Sequence, residues 1–159
     1  MIFYKYKSFT CPIGLKLFSL TLMGRIVAID YGTKRVGLAV TDELKIIASG
    51  LTTVHANEVI AYLQDYVSKN DVEIFVVGEP KNLDNSPSQV AESVNNFVKH
   101  LQRTFKNIPV KRMDERFTSK MAFQTMIDSG LKKKARRNKA LVDEISAVII
   151  LQSYMESIG

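Results

Sequence analysis

Cysteine is almost absent from this chain: Cys11 stands alone, which excludes an internal disulfide and suits a reducing cytoplasm. Histidine is nearly as scarce. His55 and His100 have no cysteine or histidine partner at zinc-ligand spacing, so both read as surface residues. No apolar run reaches the ~20 residues that span a bilayer, so no membrane partner is expected. Internal repeats and linker-like stretches are missing too, which leaves a single domain as the natural reading of 159 residues. Hydrophobic residues make up 46% and charged residues 24%, an ordinary soluble globular composition with enough apolar mass for a core.

Net charge is +6, from 22 basic and 16 acidic side chains. Such mild basicity says little about nucleic acid until its distribution is known. Residues 1–23 hold three lysines (Lys5, Lys7, Lys16) and no acid. Their lysines and leucines mimic a signal peptide, but Lys16 interrupts the apolar part and no small-residue cleavage site follows. The expectation is an N-terminal extension outside the fold, with Met23 a candidate start and the domain running over 24–159.

The organising stretch is Arg25-Ile-Val-Ala-Ile-Asp30-Tyr-Gly-Thr-Lys-Arg35-Val-Gly-Leu-Ala-Val-Thr41. Ile26 to Ile29 has the pattern of a strand buried on both faces. Gly32 and Gly37 bracket a basic turn with Lys34 and Arg35, and Val36 to Val40 restarts the apolar run. Strands so close in sequence pair as an antiparallel hairpin. Ile46 to Val54 predicts a third strand with a bulge at Ser49-Gly50. Asn57 is a candidate cap for a helix over Glu58 to Lys69. Ile74 to Val77 predicts a buried strand reached through that crossover helix, and so parallel. A helix over Pro87 to Thr104 buries Val90, Val94, Phe97, Val98 and Leu101. A strand over Pro109 to Met113 follows, then a helix from Thr118 or Ser119 closed by Gly130. The last helix, Leu141 to Met155, places Leu141, Ile145, Val148, Ile149 and Gln152 in register. This order predicts an α/β fold: a mixed five-stranded sheet, three antiparallel strands then two parallel, flanked by helices. Ligands bind such domains beyond the carboxyl ends of the parallel strands.

Three acids fall at suitable places. Asp30 ends the first strand, Glu115 ends the last beside Asp114, and Asp143 lies in the first turn of the final helix. Each has a bland alternative, as turn former, solvated strand end or helix-dipole partner respectively. Together at one sheet end they would suit a hard divalent cation, Mg²⁺ or Mn²⁺, which takes oxygen ligands and promotes phosphodiester hydrolysis. Lys132, Lys133, Lys134, Arg136, Arg137 and Lys139 supply six basic residues in eight just before Asp143. Such a run is either a solvated loop or a phosphate clamp.

Asp30-x-Gly32-x-x-Arg35-x-Gly37, Gly78-x-Pro80-x-Asn82, Asp114-Glu115-Arg116-x-Thr118 and Asp143-x-x-Ser146-Ala147 together resemble the YqgF/RuvX family. That family holds RNase H-like proteins assigned as Holliday-junction resolvases and pre-ribosomal RNA nucleases. The resemblance implies an RNase H-like fold and a metal-dependent nuclease acting on an rRNA precursor, with Asp30, Glu115 and Asp143 as catalytic and metal-binding acids. Lys34, Arg35, Arg116 and the basic run would meet the nucleic acid, with Gly32, Gly37, Asn82 and Asp114 in support. One departure is Glu79 where the family commonly has leucine, an acid within reach of the metals or merely a solvated loop charge. Asn85, where the family commonly has glycine, still accepts a left-handed backbone. Tyr31 is either a base-stacking ring or core packing.

Asp-x-Gly-Thr after a strand also resembles the phosphate loop of actin-like sugar kinases and heat-shock ATPases. Those fold from two related halves, and this chain supplies one. Structured DNA is an alternative substrate, and a non-catalytic RNA-binding module is an alternative role. A resolvase needs two sites and hence a dimer, whereas an RNA-trimming nuclease works as a monomer; the sequence leaves both open.

Overall fold

Two apolar runs, Ile26 to Ile29 and Phe75 to Val77, are fully buried and occupy adjacent strands at the centre of a sheet. The computed structural model describes residues 24–79, 91–114, 124, 130 and 138–158. In chain order its elements are β1 (Arg25–Tyr31), β2 (Arg35–Thr41), β3 (Ala48–His55), α1 (Val59–Lys69), β4 (Val72–Glu79), α2 (Ala91–Thr104), β5 (Val110–Asp114) and α3 (Lys139–Ile158). The sheet order is β3-β2-β1-β4-β5. β1 pairs antiparallel with β2, and β2 with β3, while β4 is parallel to both β1 and β5. This is the mixed five-stranded sheet expected from the sequence. The parallel pairing through α1 joins β4 to β1, so the crossover passes over two strands.

Alternation along the strands divides the core in two. Val27, Ile29, Leu38, Phe75 and Val77 face α1 and α2, where they meet Leu63, Val94, Phe97 and Leu101. Ile26, Ala28, Ala39 and Val76 face α3, where they meet Ala147, Ile150 and Leu151. The buried face of α2 is Val94, Phe97, Val98 and Leu101, as its spacing predicts; Val90 lies outside the described residues. So do residues 1–23 and the body of the helix expected after Thr118. Gly130 has φ +72°, in the left-handed region that glycine accepts without cost.

Three boundaries differ from expectation. Ile46 and Ile47 are not in β3 but exposed in the β2–β3 connection. Their N–H groups each donate to Asp42 Oδ1 at 2.7 Å, and Leu44 N–H donates to Oδ2 at 3.2 Å, so these donors are spent on a carboxylate rather than a ladder. The bulge falls one residue late: Leu38 pairs with Thr52 and Ala39 with Gly50, which leaves Leu51 as the extra residue. At the start of α1 the cap position is Glu58 rather than Asn57, with no side-chain cap bond; Glu58 N–H donates to the His55 carbonyl at 3.0 Å.

The same backbone donors hold the Asp42 carboxyl below the usual carboxylate range, the Ile47 N–H foremost. A carboxyl lowered on folding stabilises the native state fully above its unfolded pKa, and that contribution fades as pH falls through about 4 and below. Asp42→Ala is therefore expected to lower the melting temperature at pH 7. The gap between variant and parent should narrow as the pH falls through about 4 and below. Melting curves across that range check it, and a pH-independent gap would show that the carboxylate's charge is not what matters.

Candidate active site at the carboxyl ends of the parallel strands

β1, β4 and β5 run the same way, so Asp30, Glu79 and Asp114 emerge at one edge of the sheet. β2 runs opposite, which brings its first residue, Arg35, to the same edge. The pleat then sorts them by face. Asp30 alternates with Ile26 and Ala28 and lies on the α3 side. Glu79 alternates with Phe75 and Val77, and Asp114 with Val110, so both lie on the α2 side. Glu79 Oε1 there sits 3.6 Å from Arg112 Nη2, and Arg112 donates to Asn95 Oδ1 on α2 at 2.6 Å. Glu79 is thus not brought to the face that carries Asp30.

Asp143 does reach that face, and Gly37 is the reason. Gly37 is the cross-strand partner of Asp30, a pairing that sets Cα atoms about 4.5–5.5 Å apart. A Cβ on Gly37 would stand 2.0 Å from the Asp143 carbonyl oxygen and 2.4 Å from its carbon. Only glycine lets the helix backbone rest on the strand here. Asp30 and Asp143 therefore border the same residue, one along the sheet and one from above.

Local contacts fix α3 in this seat. It begins at Lys139, with Asn138 Oδ1 accepting from Ala140 N–H at 3.1 Å as its cap. That start lies two residues earlier than expected and moves Asp143 from the first turn to the second. Thr53 Oγ1 on β3 donates to the Ala140 carbonyl at 2.8 Å. Arg35 Nε donates to Asp143 Oδ2 at 2.7 Å. With Arg35 35% and Asp143 25% exposed, this ion pair contributes on the order of 0–1 kcal/mol. Its main effect is to aim the carboxylate. The buried face of α3 also differs from expectation. Ser146, Ala147, Ile149, Ile150 and Leu151 are buried and Gln152 is exposed, because a helix apolar on several sides gives periodicity no unique face to select.

Gly32 N–H donates to the Arg35 carbonyl at 3.0 Å and closes the β1–β2 turn, leaving Lys34 exposed at its tip. Lys139 is exposed at the start of α3. Tyr31 stacks on Phe97, with centroids 4.3 Å apart, and so takes part in core packing. His55 and His100 are exposed, as expected. Glu115, Arg116, Asn82, Lys132, Lys133, Lys134, Arg136 and Arg137 lie outside the described residues. Among the described residues no three His, Cys, Asp or Glu side chains form a group able to hold a metal, and no helix is long and apolar enough to cross a membrane. Sequence reasoning missed Thr53 and Asn138, the anchors of α3. Asn138 before a helix is a readable cap signal, but Thr53 bonds a residue 87 positions away and carries no local signal.

A mixed sheet in this order, with an acid at the carboxyl end of its central strand and a helix carrying a second acid over it, defines an RNase H-type α/β domain. The fold is similar to two solved structures of Thermus thermophilus RuvC. One is described as a complex with Holliday junction substrate (TM-score 0.54, 18% identity, 86% of this chain and 96% of that one). The other has a TM-score of 0.53 at 15% identity, over 85% and 96%. Residues 24–157 match the family model RuvX, described as Holliday junction resolvase, and the chain belongs to that family. Its relatives include proteins named provisionally as pre-16S rRNA nucleases. That of Christiangramia forsetii is 60% identical over 84% of this chain and 98% of its own length. That of Flavobacterium psychrophilum is 59% identical over 84% and 97%.

Gly37→Ala is expected to force α3 off the sheet and cost at least about 1–3 kcal/mol, the usual penalty of overpacking. Urea unfolding of parent and variant measures it; an unchanged midpoint would mean that α3 does not rest on Gly37.

Proposed function

We propose that this domain is a nuclease that hydrolyses phosphodiester bonds of RNA, in maturation of the 5′ end of the pre-16S rRNA. Asp30, Glu115 and Asp143 would hold Mg²⁺ or Mn²⁺. The observation that carries the reading is the seating of Asp143 over Gly37, opposite Asp30, at the carboxyl ends of the parallel strands. The donor set fits such an ion, since carboxylate oxygens are the ligands hard divalent cations take. Glycine at position 37 lets the α3 backbone approach closely enough to bring Asp143 beside Asp30. The names of relatives sharing more than half their residues with this chain support an rRNA precursor as substrate.

A bound divalent ion would supply charge neutralisation at the phosphate and a more acidic water. The protein's own groups do the rest. Arg35 occupies one oxygen of Asp143 and fixes the direction of the other. Lys34 in the β1–β2 turn and Lys139 at the start of α3, both exposed, attract the phosphate backbone without reading bases. Lys132, Lys133, Lys134, Arg136 and Arg137 extend that attraction along the strand, and Arg116 adds charge beside Glu115.

Two outcomes follow. Purified protein with Mg²⁺ is expected to cut RNA spanning the 16S precursor end, and Asp30→Asn, Glu115→Gln and Asp143→Asn should each slow cutting by about 10²–10³-fold, as loss of a positioned electrostatic group does. Cutting that persists in these variants refutes the acid assignment, and faster cutting of four-way DNA junctions moves the reading to a resolvase. Replacing Lys132, Lys133 and Lys134 by alanine should weaken RNA binding regardless of sequence. The slope of log affinity against log salt should become shallower by about 2, at ~0.7 per lost phosphate contact; an unchanged slope removes the clamp.

A further inference from the structure

A cavity of about 430 Å³ opens at the same sheet edge as Asp30 but on the opposite face, between α1 and α2. Tyr31 and Phe97 line it together with Ser93, Asn57, Asn96 and His100. The two rings are stacked, with planes 18° from parallel. Phe97 is buried beneath, whereas Tyr31 is partly exposed. Among the described residues no acid lines it, and Glu79, on the same face, has Arg112 beside it at 3.6 Å. Two amide side chains, a hydroxyl and an imidazole offer both donors and acceptors around the aromatic floor.

Its position relative to the acids matters most. Tyr31 directly follows Asp30, so consecutive residues of one strand, with Cα atoms about 3.8 Å apart, serve the two faces. Ala56, which also lines the cavity, donates its N–H to the Lys34 carbonyl at 3.2 Å. The cavity wall is thereby tied to the turn whose far end is Arg35, the partner of Asp143. Aromatic rings stack on any base, and the volume lies within the ~300–1,000 Å³ of small-molecule sites.

We propose that this cavity receives one unpaired nucleobase of the strand whose phosphate lies at Asp30 and Asp143. The inference deepens the nuclease reading and rests on it. The strand would cross the edge of the sheet at Lys34, with its phosphate on the α3 face and a neighbouring base on the α2 face. An RNA that can unpair near the cut would be preferred to a continuous duplex.

The test uses the full chain in EDTA, so that binding is read without cleavage. Fluorescence anisotropy compares a single-stranded oligonucleotide with its abasic counterpart of equal charge. The parent is expected to bind the base-bearing strand about tenfold or more tightly, the loss typical of one stacked base. Asn96→Trp, which fills the cavity from its rim, should bind both strands with the abasic affinity while melting within a few degrees of the parent. Photocrosslinking of a 5-iodouridine oligonucleotide to the unaltered protein, expected at Tyr31, keeps the question decidable if that variant does not fold. Equal affinity of the parent for both strands, a preference retained by Asn96→Trp, or crosslinks only at other sites overturns the proposal. So does binding of free nucleoside monophosphate as tight as that of the strand, which would make this a nucleotide site. Cleavage by the parent in Mg²⁺ separates the two failures: cutting without base preference removes the cavity alone, and no cutting with any divalent ion removes the nuclease reading.

Discussion

The contact on which the molecule depends is the one between the backbone of α3 and Gly37. Without a side chain at that position, a helix rests directly on a strand, and its Asp143 carbonyl lies where a Cβ would otherwise be. The register of the β1–β2 hairpin sets Asp30 opposite the same glycine. Burial of Ala147, Ile150 and Leu151 against Ile26, Ala28, Ala39 and Val76 holds the helix down along the rest of its length. Removing an aliphatic group of this kind from a core costs about 2–5 kcal/mol for Leu or Ile to Ala. The geometry of two acids is thus maintained by packing that involves neither of them.

The sheet edge is two-faced for the same reason that any strand is. Successive residues point to opposite sides, so Asp30 joins the helix that carries Asp143 while Tyr31 joins the α1 and α2 side. Asp30, Asp143 and the Arg35 guanidinium collect on one face; the Tyr31 and Phe97 rings lie on the other, which also carries Glu79 beside Arg112. Lys34, between them in the turn, faces solvent. A polyanion crossing this edge meets Lys34 first, with Asp30 and Asp143 on one side and the Tyr31–Phe97 cavity on the other.

Much of this was readable in the chain itself. Short β-branched runs placed β1 and β4 in the centre, glycines and polar residues placed the turns, and the element order gave the mixed sheet. The placement of Glu79 was readable too, since Phe75, Val77 and Glu79 alternate and so share a face. Other features were hidden because they depend on contacts far apart in sequence. Ile46 and Ile47 look like strand residues, and only the Asp42 carboxylate claiming their N–H groups explains why they are not. Helix α3 is apolar on several sides, so its buried face is chosen by the sheet rather than by its own pattern. The cavity formed by Tyr31 and Phe97 joins residues 66 positions apart and has no local signature. Glu115 and most of the basic run lie outside the described residues, so their part rests on motif and charge.

The central claim is that Asp30 and Asp143 jointly bind a divalent cation at the carboxyl ends of the parallel strands. Anomalous diffraction from crystals soaked in Mn²⁺ tests it most directly. The account predicts a manganese peak bridging the two carboxylates beside Gly37, on the α3 face of the sheet. Manganese bound only elsewhere, with both carboxylates ordered and without metal, would contradict it.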